Sequence, residues 1–419
     1  MSLYAGFVRA LEDGLDGAQP LRVGVAVSGG GDSTALLLLA RRWADERGGL
    51  IRAATVDHGL RPEAAGEAAQ VAARCARLGL EHRVLNWRGW RGVGNLQAEA
   101  RKARYRLLAD WARQNRLQAV ALGHTRDDQA ETVLMRLARG SGVDGLSGIA
   151  PRRRADGVLW LRPLLEVSRD RLRAFLKAQG VDWLEDPSNA DRRFARVNTR
   201  RALDSLAPLG IGRAQLADTA ARLRAAREVL EQATHAAARD LARVRAGGVL
   251  AGRDAFLALP AEIRRRFLAH CLKWVSTAAY APRHAALLRA EADIAARRKA
   301  TLHGCLIAPE GDDFVIAREY AAVAGCEVAA GEIWDGRWRI LGPAGAAESG
   351  LRTRALGENG LKSVPEWRNT GFSRALLLSS PALWRGGDLV AAPLAGAAGI
   401  WRAEMTRGEN DFLSSVLSH

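Results

Sequence analysis

The sequence predicts an α/β protein: a doubly wound, five-stranded parallel sheet, then a helical domain and a small α+β C-terminal domain. Three observations carry that expectation. Short apolar runs rich in β-branched residues alternate with helical patterns at βαβ spacing through the first half of the chain. The first run, Val23–Val27, breaks off at Ser28-Gly29-Gly30-Gly31-Asp32-Ser33 and leads into the apolar stretch Thr34–Ala40. From about Gly210 the texture changes to Ala, Leu and Arg at helical period, and from Thr301 to short strand-like runs.

In chain order, Met1–Pro20 reads as an amphipathic helix (Tyr4, Phe7, Val8, Leu11) and a turn. Val23–Val27 is the first strand, buried on both faces, with the helix from Thr34 after it. Leu50–Val56 is the second strand, ending in Asp57-His58-Gly59-Leu60-Arg61, and Pro62–Leu80 the next helix. Glu81–Trp87 is a third strand, and a Gly-rich connection leads to the helix Leu96–Asn115. Gln118–Leu122 is a fourth strand, Gly123–Arg139 a helix, Val158–Leu165 a fifth strand and Ser168–Gln179 a helix with Ser168 as N-cap. Right-handed crossovers give the strand order 3-2-1-4-5, so strands one and four meet at the switch point where open α/β sheets bind ligands. Ile211–Arg245 and Asp254–Arg298 read as helical, with turns near Gly247-Gly248 and Pro282. Leu302–Ala308, Phe314–Ala317, Trp338–Leu341 and Leu389–Ala392 read as strands. The expected domains are residues 1–209, 210–300 and 301–419.

Composition narrows the class. The chain has 419 residues, 48% of them hydrophobic and 26% charged, with no apolar run near the length of a membrane span and no signal pattern at its start. A cytoplasmic protein without membrane contact is expected. Four cysteines without a C-x-x-C pair argue against a disulfide framework, a zinc site or an iron–sulfur cluster. A formal net charge of +16 points to a polyanionic partner. The 12 tryptophans, including Trp334, Trp338, Trp367 and Trp384, read as core before stacking platforms.

The chemistry concentrates in the loops leaving strands one and four. Three consecutive glycines let the backbone turn with positive φ, so that loop N–H groups and the first helical turn can nest an anion. No Gly-Lys-Ser/Thr follows, and the glycines are contiguous rather than spaced as G-x-G-x-x-G. The second loop is Gly123-His124-Thr125-Arg126-Asp127-Asp128-Gln129-Ala130-Glu131-Thr132. On a helix from Arg126, Asp128 and Glu131 are i, i+3 neighbours. One imidazole with several carboxylates can bind an ammonium group, hold Mg²⁺ or move protons. Asp127 on its own reads as an acidic helix cap.

SGGGDS resembles the pyrophosphate loop of the ATP-pyrophosphatases, of adenine-nucleotide α-hydrolase-like fold. VDHGLR (56–61), GHTRDDQAETVLMRLARGSGVDGL (123–146), RPLL (162–165) and WLEDPSNAD (183–191) follow it in the order of the tRNA(Ile)-lysidine synthetases. The resemblance is dense in the first half and a matter of layout in the second. It implies a ligase that adenylates C2 of the wobble cytidine in the CAU anticodon of tRNA(Ile). The ε-amine of L-lysine then displaces AMP, and decoding shifts from AUG to AUA. It implies ATP and Mg²⁺, with Ser28, Gly29, Gly30, Gly31, Asp32 and Ser33 on the nucleotide and Asp32 on the metal. Asp128 and Glu131 would bind and activate lysine, and His124 would contact the adenylated intermediate.

Arg104, where the family has an Arg-Tyr pair, would hold a phosphate. Arg193, Arg196 and Arg200 fall in the family's basic segment after EDPSN and would contact tRNA; Asn198 departs from it, standing where an arginine is common. The second half would bind and recognise the tRNA, and a homodimer is compatible with this reading. Two alternatives share the sequence features: a tRNA 2-thiocytidine-type thiolase of the same fold, and a tRNA-binding protein without catalysis. The missing C-x-x-C disfavours the first, and the intact Asp32, His124, Asp128 and Glu131 the second.

Overall fold

A computed structural model describes residues 2–15, 17, 21–60, 62–90, 92, 94–185, 195–343 and 350–417. The chain divides at Arg227/Glu228 into two compact units. Among the described residues no helix is long and apolar enough to cross a membrane.

The first unit runs α1 (Leu3–Leu15), β1 (Arg22–Ala26), α2 (Gly31–Arg47), β2 (Leu50–Asp57), α3 (Ala64–Arg77), β3 (Glu81–Asn86), α4 (Leu96–Gln114), β4 (Ala119–Leu122), α5 (Arg126–Leu137), α6 (Val143–Leu146), β5 (Arg152–Ala155), β6 (Val158–Leu161), α7 (Arg169–Ala178) and α8 (Ala195–Leu206). Its sheet has the order β3-β2-β1-β4-β6-β5. The first five strands pair in parallel, in the expected order. A sixth strand not foreseen, β5, pairs antiparallel with β6 at the edge. Its sequence, Arg-Arg-Arg-Ala, is largely exposed and has no apolar period to announce it.

Alternation along the strands sorts side chains to two faces. Val23, Val25, Ala119 and Ala121 join one core with α1, α2, α3 and α7, centred on Phe7, Leu36, Leu37 and Trp43. Ala26, Val120, Leu122 and Trp160 join the other with Leu108 and Trp111 of α4. The doubly wound expectation is met. Gly24 belongs to that packing: a Cβ there would lie 2.7 Å from the Trp111 ring.

Helix ends follow local chemistry. Asn95 caps α4 by accepting from the Ala98 N–H at 3.2 Å. Ser168 caps α7 as expected, accepting from Arg171 N–H at 3.3 Å. The helix expected from Gly123 begins at Arg126, because Thr125 and Asp128 form a reciprocal capping box.

In the chain leading on, α9 (Arg213–Leu241) is followed by β7 (Ala242–Arg245), β8 (Gly248–Gly252), α10 (Arg253–Ala258), α11 (Ala261–Ser276), α12 (His284–Ala295), β9 (Ala300–Leu302), β10 (Cys305–Glu310) and β11 (Asp313–Arg318). These strands form a sheet in the order β7-β8-β11-β10-β9. The structure corrects two sequence expectations here. Ala242–Arg245 ends no helix; it pairs with Gly248–Gly252 across Ala246-Gly247, both with positive φ, as a tight hairpin requires. Leu302–Ala308 is likewise two strands, turning at His303-Gly304 with φ 60 and 69.

Phe256, Phe267 and Phe314 anchor the core under this sheet, with Cys271 and Cys305. Further on, Val328–Ala329, Arg352–Ala355, Pro381–Arg385 and Asp388–Ala391 form a four-stranded sheet, and Trp338–Leu341 pairs with Arg402–Met405. Trp334, Trp338 and Trp384 are buried and Trp367 partly so, which favours their core reading.

Candidate functional site

All of the site described here lies in the first unit. β1 and β4 are neighbours, and the loops that leave their carboxyl ends touch. In the first loop, Gly29 has φ +86, and Ser33 Oγ ties the turn by accepting from Ser28 N–H at 3.1 Å and donating to the Gly30 carbonyl at 3.0 Å. Gly30 stands at the N-cap of α2 without a side-chain cap, so the first-turn N–H groups are left for a ligand. In the second loop, a Cβ on Gly123 would come within 3.1 Å of Ser33 N and Cα and 3.2 Å of the Asp32 carbonyl carbon. A side chain here would fit only if the Ser33 backbone gave way by a few tenths of an ångström. Gly123→Ala is expected to push the two loops apart, raising the KM for ATP about tenfold and costing about 1–3 kcal/mol of stability. ATP-dependence kinetics with a thermal melt check both.

The loops open onto a cleft of ≈ 630 Å³, in the range of small-ligand sites. Ser28, Gly30, Gly31, Asp32, Ser33, His124, Asp128, Arg104, Arg196 and Arg200 all line it, so the structure gathers these sequence-identified residues in one place. Gly29 and Glu131 lie just behind, and Arg193 falls outside the described residues. A strap, Trp183–Glu185, closes one side: Leu184 N–H donates to the Gly29 carbonyl at 3.0 Å, and the Trp183 ring stands over Gly31.

One wall is acidic and is tied by a residue that sequence reasoning passed over. Arg169, at the start of α7, places Nε 3.1 Å from Asp32 Oδ2, Nη2 3.5 Å from Asp128 Oδ1 and Nη1 3.8 Å from Glu131 Oε1. Arg200 Nε donates to Glu131 Oε1 at 2.6 Å. Asp128 Oδ2 also accepts from Thr125 N–H at 2.8 Å, so this residue caps α5 as well as facing the cleft. Asp127 holds the neighbouring helix, accepting from Arg169 N–H at 2.8 Å. Burial raises the Asp32 pKa, opposed by Arg169 and reinforced by Asp128 and Asp127. Its Oδ1 is buried with no hydrogen-bond partner among the described residues.

The opposite wall is basic. Burial, then Arg104, Arg162, Arg101 and Arg196 in that order, hold the His124 imidazole well below its usual range. His124 is therefore neutral at physiological pH. Tyr105 gathers two of these arginines, through a hydrogen bond with Arg162 and a longer one from Arg101 at 3.4 Å. Arg104 carries no ion pair among the described residues, which leaves its charge available to a ligand phosphate.

His58 and His82 shift in the same direction as His124, chiefly by burial. In each the folded pKa lies below the unfolded value of about 6.5, so the unfolded chain binds the extra proton first. Stability is expected to be full above pH ~6.5 and to decline as pH falls through and below it. Melts from pH 8 to 5.5 check this, and His124→Gln should flatten the decline.

Cys75, Cys271 and Cys305 are buried and none lines the cleft. Burial pushes the Cys75 thiol up to about 11 and the Cys305 thiol to about 12, the reverse of what a sulfur-carrying thiolate needs.

A family model described as a PP-loop domain matches residues 4–206. The tRNA(Ile)-lysidine synthase of Ruegeria pomeroyi is 52% identical over 400 residues, covering 96% of this chain and 95% of that protein. The tRNA(Ile)-lysidine synthase of Rhodopseudomonas palustris is 45% identical over 307 residues, 70% of this chain and 89% of that protein. Among solved structures, the U34-tRNA thiolase NcsA from Methanococcus maripaludis aligns at TM-score 0.45 and 17% identity, over 52% of this chain and 78% of that one.

Proposed function

The chain belongs to the tRNA(Ile)-lysidine synthase family, and on that basis we propose that it ligates L-lysine to C2 of the wobble cytidine of tRNA(Ile), using ATP. The observation that carries this reading is the close approach of Gly123 to Asp32 and Ser33, which sets an anion-nesting loop, an acidic pair and Arg104, an arginine without an ion pair among the described residues, around one cleft.

In the first half-reaction the cytosine carbonyl oxygen attacks the α-phosphate of ATP and pyrophosphate leaves. Negative charge grows on the leaving group, where the first-turn N–H groups of α2 would receive it. Asp32 fits a role in holding Mg²⁺: its Oδ1 is buried without a partner, and Mg²⁺ is commonly held by one or two carboxylates together with substrate phosphates. The described residues contain no cluster of three or more metal-ligating side chains, in keeping with an ion that arrives with the nucleotide. Bound there, it would offset charge on the departing pyrophosphate.

Arg104 would hold a phosphate of the intermediate. Neutral His124 beside it would exchange hydrogen bonds with the intermediate without adding charge. In the second half-reaction the lysine side chain arrives mostly as ammonium, its pKa being near 10.4. Asp128 and Glu131 would orient it, and a carboxylate of this wall would receive the proton. Arg196 at the cleft edge would meet the tRNA backbone. Residues 210–300 and 301–419 would bind and recognise the rest of the tRNA, consistent with the net charge of +16.

The test is release of AMP from ATP by the full chain. It should require tRNA(Ile) and lysine together; AMP release indifferent to either one would refute the proposal.

A further inference from the structure

Both carboxylates assigned to the lysine ammonium are already engaged by cations of the protein itself. Glu131 is 1% exposed, its Oε2 is buried without a hydrogen-bond partner among the described residues, and it does not line the cleft. The two arginines that reach its Oε1, Arg169 and Arg200, do line the cleft. A ligand entering there meets guanidinium before it meets Glu131.

The two arginines hold differently. Arg200 holds Glu131 by a short hydrogen bond, 2.6 Å from Nε to Oε1. Among the described residues Arg169 makes its only side-chain hydrogen bond to Asp32, while Nη2 and Nη1 stand off from Asp128 and Glu131 at 3.5 and 3.8 Å. Those two are ion pairs without hydrogen-bond geometry, the weaker kind. The base of Arg169 is fixed: its backbone N–H is held by Asp127, and Ser168 caps the helix it begins. So the arm can turn its Nη groups aside without moving α7, keeping Nε on Asp32. The two acidic residues it would release, three positions apart on α5, are those that would receive an ammonium.

We propose that Arg169 is a built-in competitor for the lysine ammonium: it balances Asp128 and Glu131 while the site is empty, and lysine binds by displacing its Nη groups. This rests on the reading of Asp128 and Glu131 given above. It also bears on selectivity, since an amine that enters uncharged cannot replace the charge it displaces. Arg169 is on this account a positioning residue, acting through the carboxylates rather than on the reacting atoms.

The experiment is equilibrium dialysis of labelled L-lysine against the full chain without ATP or tRNA, for wild type, Arg169→Gln, Arg169→Lys and Glu131→Gln. Arg169→Gln removes the competing charge and should bind lysine about tenfold more tightly. Arg169→Lys keeps the charge as a single point that cannot span both carboxylates, and should bind two- to threefold more tightly, roughly. Should the glutamine variant fail to fold, the lysine variant carries the test. Glu131→Gln should weaken binding. Lysine affinity unimproved in the folded Arg169 variants, with Glu131→Gln still weakened, overturns the competitor and leaves the ammonium site standing. Affinity unmoved in Glu131→Gln overturns the site reading itself.

Discussion

Asp32→Ala is expected to lower tRNA-dependent pyrophosphate release by a factor of about 10³ or more while leaving tRNA affinity within about twofold. The residue sits in the first turn of α2, where the loop that would receive the pyrophosphate ends. Its Oδ1 is the buried, unpartnered oxygen at that point of the cleft, and alanine leaves nothing there to hold a metal. The fold should tolerate the change. Arg169 would lose one hydrogen bond but keep Asp128 and Glu131 within reach. On the proposed reading RNA affinity would depend instead on phosphate contacts by arginine, and Asp32 belongs to the acidic wall. Pyrophosphate release and a gel shift on the same preparation separate the two effects. A large loss of tRNA binding would contradict this division of labour.

Glu131→Gln should have an effect of similar size on the other half-reaction. Lysine transfer is expected to fall about 10²-fold or more, with adenylated tRNA accumulating because the proposed role of this carboxylate lies in the second step. Glutamine keeps the shape and one acceptor oxygen but not the charge that an ammonium seeks. The variant also takes from Arg200 a charged partner. Arg200 is a quarter exposed, so water replaces part of the lost interaction and the stability loss should stay near ~1–3 kcal/mol. Adenylation is the internal control: a variant slow in both steps has been damaged generally. Labelled AMP retained on tRNA, measured with and without lysine, distinguishes the cases.

Much of the catalytic unit was legible in the sequence, for reasons particular residues illustrate. Val23–Val27 and Ala119–Leu122 have to be buried on both faces, and only a parallel sheet covered by helices provides that. Once those strands are neighbours, the loops bearing Asp32 and His124 must meet. The edge strand Arg152–Ala155 left no such trace, because an exposed strand pairs through its backbone and makes little demand on side chains. The Ala242–Gly252 hairpin was masked by alanine and arginine, whose helical preference yields to the tight turn at Ala246-Gly247.

Within the site, a motif displays residues near one another in the chain but not what they touch. Asp128 was recognisable as cleft chemistry; its second duty in the α5 capping box was not. Arg169 was visible only as the first residue of a helix, since its partner Asp32 lies 137 positions earlier. The basic side was read through Arg104 and Arg196, whereas Arg101 and Arg162 reach the same region through Tyr105.

The most direct test is to incubate the full chain with ATP, labelled lysine and tRNA(Ile), digest the RNA to nucleosides and locate the label. The label should be recovered on a single modified cytidine from the CAU anticodon, and should vanish with Asp32→Ala. Label absent from the nucleosides, or attached anywhere but that cytidine, would contradict the account.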